Sequence, residues 1–219
     1  MNSEPWYPTD EYLESHLTGD DVATAKALVA QQDAGLPNIA VSPTQGKLLA
    51  VLARSTGALR ALEFGTLGGY SALWIARALP ADGHLVTFEL SEHHAHVARQ
   101  NLDEAGVGHK VTIRVGPAVD NFATLVEDDP FDLVFIDADK PNNEHYYEAA
   151  MTRVNSGALI IVDNVVRSGR IADPAEEDPA VTGSRAVIER IATDARVEAT
   201  VIQTVGRKGH DGMLLATVL

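Results

Sequence analysis

Residues 131–140 read Phe-Asp-Leu-Val-Phe-Ile-Asp-Ala-Asp-Lys. Leu133, Val134, Phe135 and Ile136 form a short apolar run with the length and the β-branched or aromatic content of a strand buried on both faces. The run stops abruptly in Asp137, Asp139 and Lys140. A strand covered on both faces belongs to a parallel α/β sheet, and in open sheets of that kind ligands bind beyond the carboxyl ends of the strands. The three charges are therefore a candidate site. The alternative is a polar turn at a strand end, which aspartates also favour.

Working towards the N-terminus, a strand is predicted over residues 59–64. It runs into the glycine-rich turn Gly65-Thr66-Leu67-Gly68-Gly69 and an apolar helix that Pro80 closes. Strand, glycine turn and helix together let a ligand approach backbone and a helix N-terminus, although a plain βα turn also uses glycine. A second strand, 85–88, ends in Glu89, where an acid accepts hydrogen bonds from a ribose diol. On the helix that follows, about 92–105, His93, His94 and His96 read as solvated surface, because no carboxylate or cysteine completes a metal set. Further upstream, two helical patterns lie between Asp10 and Ala34. Ser42-Pro43-Thr44-Gln45 then reads as a helix start, with Ser as N-cap, Pro at the first helical position and Gln at the capping-box position.

Between Glu89 and the central run, a third strand over 111–115 leads through Gly116-Pro117-Ala118 into a helix to about residue 126. Beyond the run, Pro141 opens a helix to about 153; Lys140, directly before it, is a poor cap placed beside two carboxylates. A fifth strand, 158–162, ends in Asp163-Asn164, a pair that also starts turns readily. Then come a loop over 165–181, a helix over 182–195 and strands over 197–203 and 213–218, joined by a link, 206–212, short enough to make the last pair antiparallel.

The 219 residues suit one α/β domain, 1–219, with 1–40 as an N-terminal helical extension. Lys+Arg 17 against Asp+Glu 31 gives a net charge of −14, which opposes a nucleic-acid partner or an anionic membrane surface. The absence of cysteine excludes disulfides, thiolate zinc sites and a cysteine nucleophile. The first residues lack the basic start and apolar core of a secretory signal, and no apolar run approaches the ~20 residues of a membrane helix, so a soluble cytoplasmic protein is expected.

Asp137, Asp163 and Asn164 are hard oxygen donors at the ends of what should be adjacent strands. That set suits Mg²⁺, with Mn²⁺ or Ca²⁺ as alternatives, and not zinc. Lys140 is the basic side chain nearby. A neighbouring dication and desolvation favour its acting as a general base, whereas Asp137 and Asp139 oppose it. The metal is therefore expected to carry most of the activation of a bound hydroxyl, with Lys140 finishing it.

Glu63-Phe64-Gly65-Thr66-Leu67-Gly68-Gly69-Tyr70-Ser71, residues 131–140 and Val162-Asp163-Asn164 together resemble the cation-dependent O-methyltransferases. That family holds the catechol and caffeoyl-coenzyme A O-methyltransferases and bacterial relatives, and the resemblance runs from about Val41 onward. It implies a Rossmann-like class I methyltransferase fold: a seven-stranded, mostly parallel sheet with an antiparallel last strand and helices on both faces. It implies S-adenosylmethionine as cofactor, with Val41 at the methionine end and Glu63, Gly65, Thr66, Gly69 and Ser71 as its loop and helix start. Glu89 matches the ribose acid, Ala118 the residue beside the adenine, and Asp137 is also near the cofactor. Asp137, Asp163 and Asn164 match the metal ligands, and Lys140 the base, with Asp137 as its catalytic companion. The implied reaction is in-line methyl transfer from the sulfonium to a metal-chelated phenolate, and a homodimer is expected on the same ground.

The chain also departs from the pattern. Many relatives carry a tyrosine a few residues after the lysine, whereas here Tyr146 and Tyr147 come later. The segment before Val41 and the loop 165–181 match no specific enzyme, which leaves the phenolic substrate open beyond a vicinal diphenol. Three other readings stand beside this one, of which a methyltransferase acting on nucleic acid or protein is disfavoured by the acidic balance and the metal trio. A nicotinamide-dependent dehydrogenase shares the glycine turn and the strand-two acid but leaves the Asp137, Asp163, Asn164 trio unexplained. A binding protein that has lost turnover would keep the same pocket.

Overall fold

The computed structural model describes residues 6–19, 21–125 and 130–219. Two helices open it, α1 (Trp6–Leu17) and α2 (Val22–Asp33), followed by α3 (Pro43–Ser55). Then come β1 (Arg60–Phe64), α4 (Tyr70–Ala78), β2 (His84–Glu89), α5 (Glu92–Glu104), β3 (Val111–Val115), α6 (Ala118–Ala123) and β4 (Phe131–Ile136). The chain continues through α7 (Asn143–Met151), β5 (Val154–Asp163), α8 (Pro179–Ala192), β6 (Val197–Gly206) and β7 (Gly209–Val218). The strands form one seven-stranded sheet in the order β3-β2-β1-β4-β5-β7-β6. β1 to β5 pair in parallel, and β7 runs antiparallel to both of its neighbours.

Side-chain alternation along the strands divides the core. Leu133 and Phe135 of β4 and Ile161 of β5 join Leu49, Leu73, Ile75 and Leu102 of α3, α4 and α5 on one face. Val134, Ile136 and Val162 join Phe122, Tyr147 and Val187 of α6, α7 and α8 on the other. The central strands are buried on both faces, which is why they read as continuous apolar runs.

The N-terminal extension is bound at two places. Arg207 N, in the β6–β7 turn, donates to Asp10 Oδ2 at 2.6 Å, and its guanidinium pairs with Glu14 at 2.7 Å. On α2, Arg77 pairs with Asp21, and Asn101 Nδ2 bridges the carbonyls of Ala27 and Gly68.

Several boundaries differ from the sequence reading for identifiable reasons. β5 starts at Val154, not near 158, because the chain pairs with Phe131 before a register shift. α8 starts at Pro179, since Asp178 caps it by accepting from Ala180 N at 2.8 Å. The last two strands run to a two-residue turn, Arg207-Lys208. Gly206 and Gly212, read as turn residues, instead permit close approach: a Cβ would lie 2.8 Å from Asp10 Oδ2 at the first and 2.6 Å from Ile202 O at the second. Pro141 sits in a short 3₁₀ turn, Lys140–Asn142, ahead of α7. α6 ends at Ala123, and the predicted end near 126 lies outside the described residues. Ser42 caps α3 as expected, accepting from Gln45 N at 3.2 Å. The Gln45 side chain does not complete a capping box; its Nε2 points to Met213 Sδ at 3.7 Å.

Candidate active site

A cavity of about 860 Å³ opens at the carboxyl ends of β1, β2, β4 and β5. Of the residues singled out from sequence, Val41, Gly65, Thr66, Ser71, Glu89, Ala118, Asp137, Lys140 and Asn164 all line it. Glu63, Gly69 and Asp163 do not.

The glycine turn is built against β4. Gly65 has φ +98°, and a Cβ there would lie 2.5 Å from the Asp137 carbonyl oxygen, so only glycine lets the two strand ends meet. Asp137 N in turn donates to Phe64 O at 2.9 Å. α4 begins at Gly69 without a side-chain cap, leaving the start of a buried helix beside Tyr70 and Ser71 in the cavity wall.

Glu63 lies beneath this wall and is fully buried. Its two oxygens accept from Ser71 Oγ and Thr87 Oγ1, each at 2.6 Å, and Thr87 is bonded to Thr66 at 2.6 Å. Burial pushes its carboxyl up to about 7, against the lowering effect of the two hydroxyls. Glu63 therefore sets the positions of Ser71 and Thr66 from below.

Glu89 accepts from Leu67 N at 2.7 Å and Ser91 N at 3.0 Å, with His94 Nδ1 3.3 Å from the same carboxylate. A carboxylate has about four acceptor positions, so capacity remains on the side that lines the cavity. His94 is half-buried and lines the cavity, which corrects its reading as solvated surface. The cause is its place one turn into α5, which folds it back over the end of β2. His93 and His96 are exposed as expected.

At the β4 end, Lys140 Nζ donates to Asp137 Oδ1 at 2.6 Å. Asp139 is held by the Asn142 amide and the Tyr146 hydroxyl, whose ring stacks on Phe64 at 4.9 Å. Tyr146 was noted in the sequence as displaced from its usual place, yet it reaches back to the Asp137–Lys140 segment through Asp139. Burial, followed by the Asp139 hydrogen bond, holds its phenol well above the usual tyrosine range.

At the β5 end, Asp163 is 4% exposed and lines a second, smaller cavity of about 270 Å³; Asn164 lines both. Burial, and next the charge of Asp137, push the Asp163 carboxyl well above the usual carboxylate range, while Lys140 and the Gln45 side chain oppose the shift. Asn164 adopts φ +56°, a conformation that asparagine tolerates better than most residues. No cluster of three or more His, Cys, Asp or Glu at metal-binding spacing occurs among the described residues. The Asp137, Asp163, Asn164 set has an amide as its third oxygen donor.

Two residues of this region escaped the sequence reading. Gln45 approaches Asp163 from α3. Lys208, from the β6–β7 turn, donates to the carbonyls of Ile39 and Ala40, bracing the wall that ends in Val41. Both contacts span more than 100 residues of chain, and no local pattern announces them.

The O-methyltransferase family profile matches residues 19–218. The chain is 48% identical to the catechol O-methyltransferase of Mycobacterium tuberculosis, covering 100% of this chain and 99% of that one. An O-methyltransferase from Bacillus cereus, solved in complex with SAH, superposes with a TM-score of 0.97 at 44% identity, covering 99% of each chain. The O-methyltransferase TomG of Streptomyces achromogenes, involved in tomaymycin synthesis and solved with SAM, gives a TM-score of 0.95 at 47% identity, covering 100% of this chain and 99% of that one.

Proposed function

We propose, on the premise that this chain belongs to the class I S-adenosylmethionine-dependent O-methyltransferase family, that it methylates a hydroxyl of a catechol-type small molecule and needs a divalent cation to do so. The observation that carries this reading is the convergence of Asp137, Lys140 and Asn164 on one cavity whose wall also holds Glu89, with Asp163 buried next to Asn164.

The residues fit the two absent groups. Asp137, Asp163 and Asn164 would hold a hard cation, Mg²⁺ first and Mn²⁺ or Ca²⁺ as alternatives, because they offer two carboxylates and an amide oxygen without sulfur or imidazole. Burial first and the charge of Asp137 second raise the Asp163 pKa, and a cation held between the two carboxylates would relieve the second. Glu89 has acceptor capacity left for a ribose diol, Ala118 and Phe88 offer apolar surface for an adenine, and Val41, Gly65, Thr66 and Ser71 wall the methionine end. Glu63 and Gly69 act from behind the wall, by fixing Ser71 and starting α4.

When bound, the cation acidifies a chelated hydroxyl and the cofactor supplies an electrophilic methyl group. The chain's own part is alignment and proton handling. Lys140 Nζ, which donates to Asp137 Oδ1 at 2.6 Å as an ammonium, would first release a proton to solvent once Asp137 is engaged by the cation, and the neutral amine would then take the hydroxyl proton. Asp139, held by Tyr146 and Asn142, fixes the backbone on which Lys140 sits. Lys208 braces the wall around Ile39 and Ala40 beside this site. Holding two reactants in line accounts for a large share of the rate in such transfers.

A homodimer is part of the same reading, supported by the exposed Tyr12, Leu17, Val22 and Val29 on α1 and α2. A cytoplasmic location is part of it too. No helix among the described residues is long and apolar enough to cross a membrane.

The test is methyl transfer from S-adenosylmethionine to catechol with Mg²⁺, with EDTA, and with Mg²⁺ restored in excess. Transfer that EDTA abolishes and Mg²⁺ restores supports the reading. Equal transfer in EDTA removes the cation from it.

A further inference from the structure

Directly after Asn164, the chain makes a turn that presents a cation to the main cavity. Val166 N and Arg167 N both donate to Asp211 Oδ1 at 3.0 Å, and Gly212 N donates to the same oxygen at 2.9 Å. Arg167 and Ser168 take left-handed φ values of +53° and +57°, followed by Gly169 at +81°. Left-handed backbone at arginine is unfavourable and persists only where its surroundings hold it. Here the Asp211 carboxylate does so, and the result is a rigid mount for the Arg167 side chain.

Arg167 lines the main cavity together with Asn164 and Lys140. Its Nε is shielded from solvent and has no hydrogen-bond partner. Among the described residues, no carboxylate stands within ion-pair distance of its guanidinium. The neighbouring arginine of the same loop differs: Arg170 pairs with Glu176 and Asp178 at 2.8 and 2.9 Å. Lys140, the other cation named in this wall, is bonded to Asp137. A half-buried guanidinium with no ion-pair partner and one shielded nitrogen, in a protein of net charge −14, is a donor set awaiting an acceptor.

We infer that Arg167 binds a carboxylate on the substrate, so that the preferred substrates are diphenols bearing an acid group on the side of the ring away from the two hydroxyls. This rests on the diphenol reading above. Asn164 and Arg167 lie within about 11 Å of chain and line the same cavity, so one small molecule can reach both. A guanidinium matches a planar carboxylate with two parallel hydrogen bonds. A phosphate dianion fits less well, because Asp137 and Asp139 line the same cavity and would repel the second charge. A neutral substituent would leave the shielded Nε without a charged partner.

The experiment compares kcat/KM for 3,4-dihydroxybenzoate and its methyl ester, with Mg²⁺, in the native protein and in Arg167→Met and Arg167→Lys. The native protein is expected to favour the acid by at least about tenfold, which corresponds to one good charged contact at about 1.4 kcal/mol per decade. Arg167→Met should bring that ratio close to one, and Arg167→Lys should retain part of it. The acid should also give one methylated regioisomer in excess, and Arg167→Met should shift the isomer ratio towards that of the ester. A structural role for Arg167 would lower both rates and leave both ratios unchanged, which overturns the inference. So does a native protein that treats acid and ester alike; this needs no variant and holds even if Arg167→Met fails to fold. Transfer to neutral diphenols without acid preference overturns this inference alone. No transfer to any diphenol overturns the diphenol reading and this inference with it.

Discussion

Lys140 Nζ lies 2.6 Å from Asp137 Oδ1, so the proposed base and a proposed metal ligand share one hydrogen bond. Lys140→Met should then lower kcat by about 10²- to 10⁴-fold, the usual worth of a positioned proton acceptor. The Kd for S-adenosylhomocysteine should move by less than about threefold. Steady-state rates and calorimetry on the same preparation check both. A variant that loses cofactor affinity in proportion to rate would make Lys140 a binding residue instead.

Tyr146→Phe should separate the support of the segment from its chemistry. It removes one of two partners of Asp139 while keeping the ring stacked on Phe64. A hydrogen bond to a charged group contributes about 1.5–3 kcal/mol. For a chain of this size, that corresponds to a fall in melting temperature of roughly 3–12 °C. We expect the fall together with a reduced kcat, since Lys140 follows Asp139 directly. An unchanged melting curve would contradict the contact.

Glu63 makes stability depend on pH in an unusual direction. Its folded pKa, about 7, exceeds the ordinary glutamate value of 4.5, so between those pH values the folded state binds more protons than the unfolded state. Stability of the ligand-free protein should therefore fall as pH rises from about 5 to 8, by up to roughly 3 kcal/mol from this group. Glu63→Gln should reduce that slope, leaving the part that Asp163, whose carboxyl is also raised, contributes. Urea unfolding at several pH values measures it, and a native slope equal to that of Glu63→Gln would contradict the burial argument.

Gln45→Leu tests whether the Gln45 amide, which lines the smaller cavity together with Asp163, positions that carboxylate. Partners that orient metal-bound side chains typically contribute 10- to 100-fold in metal affinity. The half-saturating Mg²⁺ concentration for transfer should rise within about that range, with little change in S-adenosylhomocysteine affinity. A shift in cofactor affinity alone would place Gln45 elsewhere in the mechanism.

The sheet and its carboxyl edge were legible because β1, β2, β4 and β5 are apolar runs ending in abrupt polar residues, a signal that survives without tertiary information. Glu89, Asp137, Asp163 and Asn164 stand at those ends and were found that way. What escaped was long-range. Nothing near Gln45 or Lys208 in sequence points to Asp163 or to the Ile39 and Ala40 carbonyls. Glycines 206 and 212 suggest a turn when read locally, whereas they make room for Asp10 and for the β6 backbone. His94 was misread because its partner, Glu89, lies on the preceding strand end and not on its own helix. Glu63 was identified by resemblance, but only the structure shows that it works from beneath the cavity wall.

The most direct test of the central claim is the Mg²⁺ dependence of methyl transfer to catechol by the native protein and by Asp163→Ala, with S-adenosylhomocysteine binding measured on both. The account requires native transfer that saturates with Mg²⁺ and is lost in EDTA. It also requires an Asp163→Ala protein whose transfer is lost at the native saturating concentration while its S-adenosylhomocysteine affinity stays within about tenfold of native. An Asp163→Ala protein that transfers methyl groups at the native rate, with or without Mg²⁺, would contradict it.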